Sequence, residues 1–297
     1  MQLVERLHNY GRLIRFSHTV FALPFALASL ALAWPAHPVT PGIFFWILVA
    51  MVGARSAAMG FNRLADRNFD ALNPRTSGWE LPQGKVKVWE AVALTVAASL
   101  AFVYAAHRLN FLCFLLSPVA LAIVFFYSLT KRFTWTSHLF LGLALSIAPI
   151  GAWLAVAGAP VAVTELATPV LLGSAVLFWL AGFDVIYSLQ DRPFDLAERL
   201  YSIPARFGVA AALRLSSAFH LLTVTFLALV GLTAKLGLIY WFGFGAVSAI
   251  LFWEHRIVTP TDLSRIDRAF FDFNAYVSIG YFLIIAGDLL LTSRLGN

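Results

Sequence analysis

The sequence predicts an all-α membrane protein in which nine transmembrane helices form a bundle. The 297 residues are 60% hydrophobic and only 12% charged, and the mean hydropathy of +0.81 excludes an ordinary water-soluble globular protein. Nine windows of low charge each approach the length of about 20 residues that an apolar helix needs to cross a bilayer. The connections between them alternate between many and few basic residues, as expected for a chain that crosses a membrane repeatedly.

The nine windows leave no room for a separate soluble domain, so residues 1–297 are expected to form one transmembrane domain. Helix 1 has a polar start at Ser17 and His18 and is too long for the apolar core of a signal peptide, so it is counted as a membrane helix. The predicted helices 1 to 9 cover residues 18–34, 42–61, 89–106, 111–129, 135–157, 166–183, 215–232, 237–253 and 270–291.

The distribution of Lys and Arg predicts the orientation. With nine helices, 18 of the 21 basic residues fall on the side of the N-terminus. Short basic loops stay in the cytoplasm, so the N-terminus is predicted to be cytoplasmic. The bias also supports the helix count, because one missed crossing would have mixed the two sides. The net charge of +6 therefore requires no nucleic-acid partner.

The acidic residues collect on the same side in two clusters, although Asp and Glu have little influence on topology. The first cluster follows helix 2 in the stretch NRLADRNFD, where Asn62, Asp66 and Asp70 are four residues apart. On a helix this spacing places all three side chains on one face.

The second cluster follows helix 6, where Asp184, Asp191 and Asp195 are separated by seven and four residues and also form one helical stripe. The last two lie 125 residues after Asp66 and Asp70, with four helices between. This spacing predicts two parallel four-helix pseudo-repeats, at approximately residues 10–132 and 133–253, with helix 9 added. Such a repeat would bring the two stripes face to face at one side of the membrane.

Facing carboxylates repel one another unless cations lie between them. Oxygen ligands favour Mg²⁺, which characteristically joins a few carboxylates to substrate phosphates, so a diphosphate is the predicted ligand. Tyr127 and Lys131, four residues apart, would present a hydroxyl and an ammonium group to it. The basic residues interleaved with the acidic stripes are Arg67, Arg75, Arg192 and Arg199.

Alternative interpretations exist for each feature. A single acidic pair flanked by arginines is typical of a solvated or salt-bridged loop helix, and only the matched spacing of two stripes favours a site. Arg55 lies inside an apolar stretch, where a charge costs about 2.5 to 3.5 kcal/mol on insertion scales. It is expected to face a polar cavity, and the alternative is that it extends to the membrane interface.

Three motifs in this order resemble the UbiA family of intramembrane aromatic prenyltransferases. NRLADRNFD resembles the family's NxxxDxxxD motif, YSLTK its YxxxK element, and DVIYSLQDRPFD its DxxxxxxDxxxD motif. The resemblance implies nine helices around a central cavity, a cytoplasmic cap formed by the 2–3 and 6–7 loops, and a location in the bacterial inner membrane with the active site on the cytoplasmic side.

The resemblance also implies roles for individual residues. Two Mg²⁺ ions would be held by Asn62, Asp66, Asp70, Asp191 and Asp195. Arg75, Tyr127 and Lys131 would contact the diphosphate, and Asp184 opens the second motif. Arg67 and Arg192 are candidates for the same ligand because they are interleaved with the acidic stripes, not because of the resemblance. Arg55 would lie near the aromatic acceptor, where a guanidinium suits a carboxylate.

The predicted reaction transfers a polyprenyl group from an allylic diphosphate to an aromatic acid in quinone biosynthesis. RSAAMGFNRLADRNFDALNPRT, FSHTVFALPFA and SIPARFG most resemble the menaquinone branch that uses a dihydroxynaphthoate in the futalosine route. The alternative acceptor is 4-hydroxybenzoate, for ubiquinone synthesis. ERLYS departs from the Gly and His expected before SIPARFG. A membrane transporter is the alternative from another class, but these acids cluster at one membrane face rather than at the midplane.

Overall fold

A computed structural model describes residues 9–13 and 21–295, with side chains described as far as residue 291. The predicted start of helix 1 at residues 18–20 lies outside the described residues. Two arginines from the topology count, Arg6 and Arg15, also lie outside them, as does the side chain of Arg294.

The described chain is all-α, as predicted, and its only β-type pairing is an isolated bridge between Thr259 and Asp262. Between residues 21 and 295, nine helices are longer than ten residues, and each overlaps one predicted window. They are α1 (Leu23–Ala33), α2 (Pro41–Leu72), α3 (Val88–Leu109), α4 (Phe111–Thr130), α5 (Ser137–Ala157), α6 (Ala167–Ser188), α7 (Val209–Thr233), α8 (Leu238–Ile257) and α9 (Asn274–Leu295).

Seven of these helices, α2 to α7 and α9, lie in segments long and apolar enough to cross a membrane by length and composition. α1 has 11 described residues, which is shorter than a full crossing, and α8 is not among the seven. The chain is therefore an integral membrane protein, while the full count of nine crossings and the cytoplasmic orientation stay predictions.

The chain divides into two compact units. One contains residues 9–13 and 41–129, and the other contains residues 21–40 and 130–295. In the first unit, α2 packs closely against α3 through small residues. A Cβ atom added at Gly53 would lie 3.0 Å from the carbonyl oxygen of Ala98, and one at Gly60 would overlap the hydroxyl of Thr95. Because Gly53 and Gly60 are seven residues apart, they place this contact on one face of α2.

The second unit is built around α6, the most buried of the candidate spans. Trp179 is fully buried at its centre and packs against Phe25 of α1 with 4.9 Å between ring centroids. α1 is also held to α5, because the buried hydroxyl of Ser29 donates to the carbonyl oxygen of Pro149 at 2.6 Å. Such hydrogen bonds satisfy polar groups where no water is present. The packing fixes the end of α6, where the second motif begins.

The two acidic motifs differ in backbone structure. α2 continues eleven residues beyond its predicted end at Phe61, so the whole first motif is helical. The second motif does not lie on one regular helix, and that prediction is wrong. α6 ends at Ser188, a 3₁₀ turn follows at Leu189–Asp191, and a short helix covers Arg192–Ala197. Pro193, which has no N–H group to donate, lies at the start of that short helix.

Candidate active site

In the first unit, α2 presents the NxxxDxxxD residues along one face. The amide Nδ2 of Asn62 donates to Asp66 Oδ2 at 3.0 Å, as the four-residue spacing predicts. Asp70 is buried one turn further along. Its Oδ2 lies 3.4 Å from Nη1 of Arg63, which is also buried. The first motif therefore contains an internal cation that the sequence analysis did not single out, although the seven-residue spacing could have indicated it.

The loop after α2 folds back over this motif. The guanidinium of Arg63 lies 3.7 Å from the ring centroid of Trp79, close enough for a cation–π contact. The hydroxyl of Thr76 donates to the carbonyl oxygen of Asp70 at 2.8 Å. Arg75 lies in the same loop, with its guanidinium 5.7 Å from the Trp79 ring. The loop thus fixes the end of the first acidic stripe.

Tyr127, near the end of α4, is also part of the first unit. It interacts electrostatically with Arg55, Arg63 and Asp66, so the structure groups it with the predicted acceptor arginine and the first motif. Lys131 lies just past the end of α4 rather than within it. Arg67 is exposed on α2.

In the second unit, the structure brings together Lys131 and Asp195. Nζ of Lys131 lies 3.7 Å from Oδ2 of Asp195, and the carboxylate side chain is only 2% exposed. That Oδ2 makes no hydrogen bond within the described residues. Asp191 is buried at the end of the 3₁₀ turn. Arg192 is half-buried, and its Nε donates to the carbonyl oxygen of Pro204 at 3.1 Å.

Asp184 has a partner that no motif indicated. Its Oδ2 lies 2.6 Å from Nδ1 of His138, a fully buried residue at the start of α5. These two residues are 46 positions apart in the sequence, so only the packing of α5 against α6 brings them together. The side chain of Asp184 is 20% exposed and thus partly accessible.

Within the described residues, no three His, Cys, Asp or Glu side chains lie close enough together to hold a metal ion. The first unit supplies Asn62, Asp66 and Asp70, and the second supplies Asp191 and Asp195. The two-ion magnesium centre therefore stays a prediction.

Comparison with known proteins identifies the family. Residues 22–277 match the UbiA prenyltransferase family, which is most of the chain. The chain belongs to this family. It is accordingly a prenyltransferase, an enzyme of the transferase class, and the resemblance noted in the three motifs is confirmed.

Relatives with assigned names share about a third of their residues with this family member. The 4-hydroxybenzoate octaprenyltransferase of Aeromonas hydrophila is 34% identical over 96% of this chain and 97% of its own length. The protein of the same name from Burkholderia ambifaria is 30% identical over 99% of this chain and 100% of its own length. These names favour the alternative acceptor, 4-hydroxybenzoate, over the dihydroxynaphthoate that the motif stretches predict.

Solved structures show the same fold. A UbiA homologue from Aeropyrum pernix, determined in its apo form, has a TM-score of 0.82 and 33% identity, covering 93% of this chain and 98% of that one. A UbiA homologue from Archaeoglobus fulgidus bound to DMAPP and Mg²⁺ has a TM-score of 0.68 at 22% identity, covering 94% of this chain and 99% of that one.

Proposed function

We propose that this family member transfers a polyprenyl group from an allylic diphosphate to the ring of 4-hydroxybenzoate in a Mg²⁺-dependent reaction. The observation that carries the proposal is the pairing of a buried acidic residue, Asp195, with Lys131, each lying in a family motif. The names of the relatives from Aeromonas and Burkholderia support 4-hydroxybenzoate as the acceptor.

The residues present suit magnesium. Mg²⁺ prefers a few carboxylate oxygens together with phosphate oxygens, and both acidic motifs offer only oxygen ligands. Oδ2 of Asp195 is buried and makes no hydrogen bond within the described chain, and its cationic neighbour at 3.7 Å is Nζ of Lys131. A carboxylate oxygen has room for more than one such partner, so it could also coordinate a metal ion. When bound, Mg²⁺ would neutralise charge on the departing diphosphate. The residues proposed to hold two ions are Asn62, Asp66, Asp70, Asp191 and Asp195.

The basic side chains would hold the diphosphate and stabilise its developing charge. Lys131 would donate to a phosphate oxygen while Asp195 keeps its ammonium group in place. Tyr127 and Arg75 would donate further hydrogen bonds, with Arg67, Arg192 and Asp184 at the edge of the same site. The face-to-face arrangement of the two acidic stripes, predicted from their matched spacing, is part of this proposal.

The chemistry follows from that charge stabilisation. The C–O bond of the allylic diphosphate breaks, leaving an allylic cation and diphosphate. A ring carbon of the acceptor attacks the cation, forming the new C–C bond. The same ring carbon then releases its proton to solvent, which restores the aromatic ring. Arg55 would orient the acceptor by pairing with its carboxylate. We propose that this site lies on the cytoplasmic side, under a cap formed by the 2–3 and 6–7 loops.

A transfer assay on purified protein tests the proposal. The protein is incubated with Mg²⁺ and a polyprenyl diphosphate, and 4-hydroxybenzoate and dihydroxynaphthoate are offered in parallel and in competition. We expect prenylated 4-hydroxybenzoate and stoichiometric release of pyrophosphate.

Product formed only from the naphthoate would refute 4-hydroxybenzoate as the acceptor. It would favour the menaquinone branch instead, which the stretches RSAAMGF and SIPARFG resemble. No pyrophosphate release with either acceptor would refute the proposed reaction.

A further inference from the structure

His138 is a buried histidine that connects α5 to two other parts of the second unit. Its Nδ1 lies 2.6 Å from Oδ2 of Asp184 on α6. On its other side, the backbone N–H of Ile203 donates to Nε2 at 3.3 Å. Because a backbone N–H group can only donate, Nε2 must be the acceptor. Nδ1 therefore carries the ring proton and donates a hydrogen bond to Asp184 Oδ2. Both ring nitrogens are therefore occupied, and the tautomer is fixed.

The segment that contains Ile203 is hydrogen-bonded through its main chain to several of the proposed site residues. This segment, residues 200–204, follows the short helix Arg192–Ala197 and is buried at Ser202, Ile203 and Pro204. Its main chain makes three hydrogen bonds to site residues: Leu200 N to Asp195 O at 2.8 Å, Tyr201 N to Lys131 O at 2.7 Å, and Pro204 O from Arg192 Nε at 3.1 Å. The position of this segment thus sets the backbone positions of the Lys131–Asp195 pair.

We propose that His138 is a positioning residue, which holds the carboxylate of Asp184 and the 200–204 segment in register and thereby places the Lys131–Asp195 pair for diphosphate binding. This inference rests on the proposed function. The ring of His138 is 0% exposed, so it acts through Asp184 and Ile203 rather than by touching substrate. Its hydrogen bond to Asp184 is charge-assisted and buried on the histidine side, which makes it the stronger of the two contacts.

Three substitutions separate the two contacts. His138→Ala removes both. His138→Asn keeps an N–H donor at the position of Nδ1 and loses the acceptor for Ile203, whereas His138→Gln keeps an acceptor at the position of Nε2 and loses the donor to Asp184. His220→Ala is the matched control, because His220 is also buried, packs on α6, and bonds to the carbonyl oxygen of Trp179 rather than to a site residue.

Ligand binding and catalysis are measured for each variant, together with the midpoint of thermal unfolding in detergent. The first is the Kd of pyrophosphate in the presence of Mg²⁺, by titration calorimetry. The second is kcat and KM for prenyl transfer per folded enzyme. For His138→Ala we expect a 10- to 100-fold weaker Kd and a similar fall in kcat, about the effect of one charge-assisted hydrogen bond. His138→Asn should recover more of both than His138→Gln.

His220→Ala should lower the unfolding midpoint while its Kd and kcat stay within about threefold of wild type, the scatter expected for distant sites. A His138→Ala protein that binds pyrophosphate and turns over like wild type, or that loses no more than His220→Ala, would overturn the positioning role. A wild-type protein that binds pyrophosphate with Mg²⁺ but prenylates neither acceptor would refute the proposed function alone, because the binding measurement would still test His138.

Discussion

Replacing Lys131 by methionine tests the ion pair on which the proposed function depends. Its Nζ lies 3.7 Å from Asp195 Oδ2, and the lysine side chain is 36% exposed whereas the aspartate side chain is 2% exposed. Two unit charges at this distance attract by about 4.5 kcal/mol at an effective dielectric constant near 20. Solvent around the exposed lysine screens the pair, so its net contribution to stability is expected to be about 1 to 2 kcal/mol.

Lys131→Met keeps most of the side-chain volume but leaves Asp195 as a buried carboxylate without its ion-pair partner. We expect the unfolding midpoint to fall by roughly 2 to 8 °C, from that free energy and the size of the chain. Prenyl transfer should fall much further, by about 10² to 10³ in kcat/KM for the diphosphate, because an electrostatic group facing the departing charge is lost. Pyrophosphate release and prenylated product are measured together at saturating Mg²⁺.

Two further variants make the result specific. Lys131→Arg keeps the positive charge and should recover at least tenfold of the lost kcat/KM, although guanidinium geometry differs from that of an ammonium group. Lys235→Met removes a lysine that is exposed in the same unit and should leave kcat/KM unchanged. If Lys131→Met retained kcat/KM within threefold of wild type, the reasoning from the Lys131–Asp195 pair would be refuted.

Three other predictions concern the metal, the first motif and helix packing. Asp191→Asn should lower prenyl transfer at least 100-fold and raise the Mg²⁺ concentration for half-maximal activity; removing Mg²⁺ with EDTA should abolish wild-type transfer, and full activity after chelation would contradict the metal's role. Arg63→Gln should lower kcat about tenfold and the unfolding midpoint by several degrees, because its ion pair and its contact with Trp79 are lost; Arg63→Lys, which keeps only the charge, should recover part of both. Gly142→Ala should destabilise the protein by about 1 to 3 kcal/mol, because the added Cβ would meet the backbone of α6. In the control Gly151→Ala, on the same helix, the added Cβ meets no atom within 4 Å and stability should not change. Equal unfolding midpoints for the two variants would show that the contact at Gly142 is not tight.

The helices could be read from the sequence because the bilayer fixes both their length and their composition. Each of the nine long helices in residues 21–295 overlaps a predicted window. The predicted helix ends next to the motifs were less accurate. The run of apolar residues stops where the polar motif begins, whereas the helical backbone hydrogen bonds continue beyond it. The clearest case is α2, which runs to Leu72 although its apolar part ends near Phe61.

Residue spacing within one helix predicted contacts within that helix. The four-residue interval between Asn62 and Asp66 corresponds to a hydrogen bond of 3.0 Å. The same reasoning was wrong for the second motif, where a 3₁₀ turn at Leu189–Asp191 interrupts the regular helix. A 3₁₀ turn has 3.0 residues per turn and an α-helix has 3.6, so successive side chains point in different directions in the two. A three-residue 3₁₀ turn is too short to be detected from the spacing of hydrophobic residues.

The sequence by itself determined the all-α membrane class, because bilayer thickness sets the length of the apolar segments and helical periodicity sets the spacing of residues on one face. It also contains the three motifs, which identify the family. Only the tertiary structure decided which partners the motif residues have. Asp184 receives its hydrogen bond from a histidine 46 positions earlier, and Asp195 lies under the ammonium group of Lys131. Such contacts depend on how separate helices and loops pack together. The spacing of residues along one helix carries no information about which residues of other elements lie beside it.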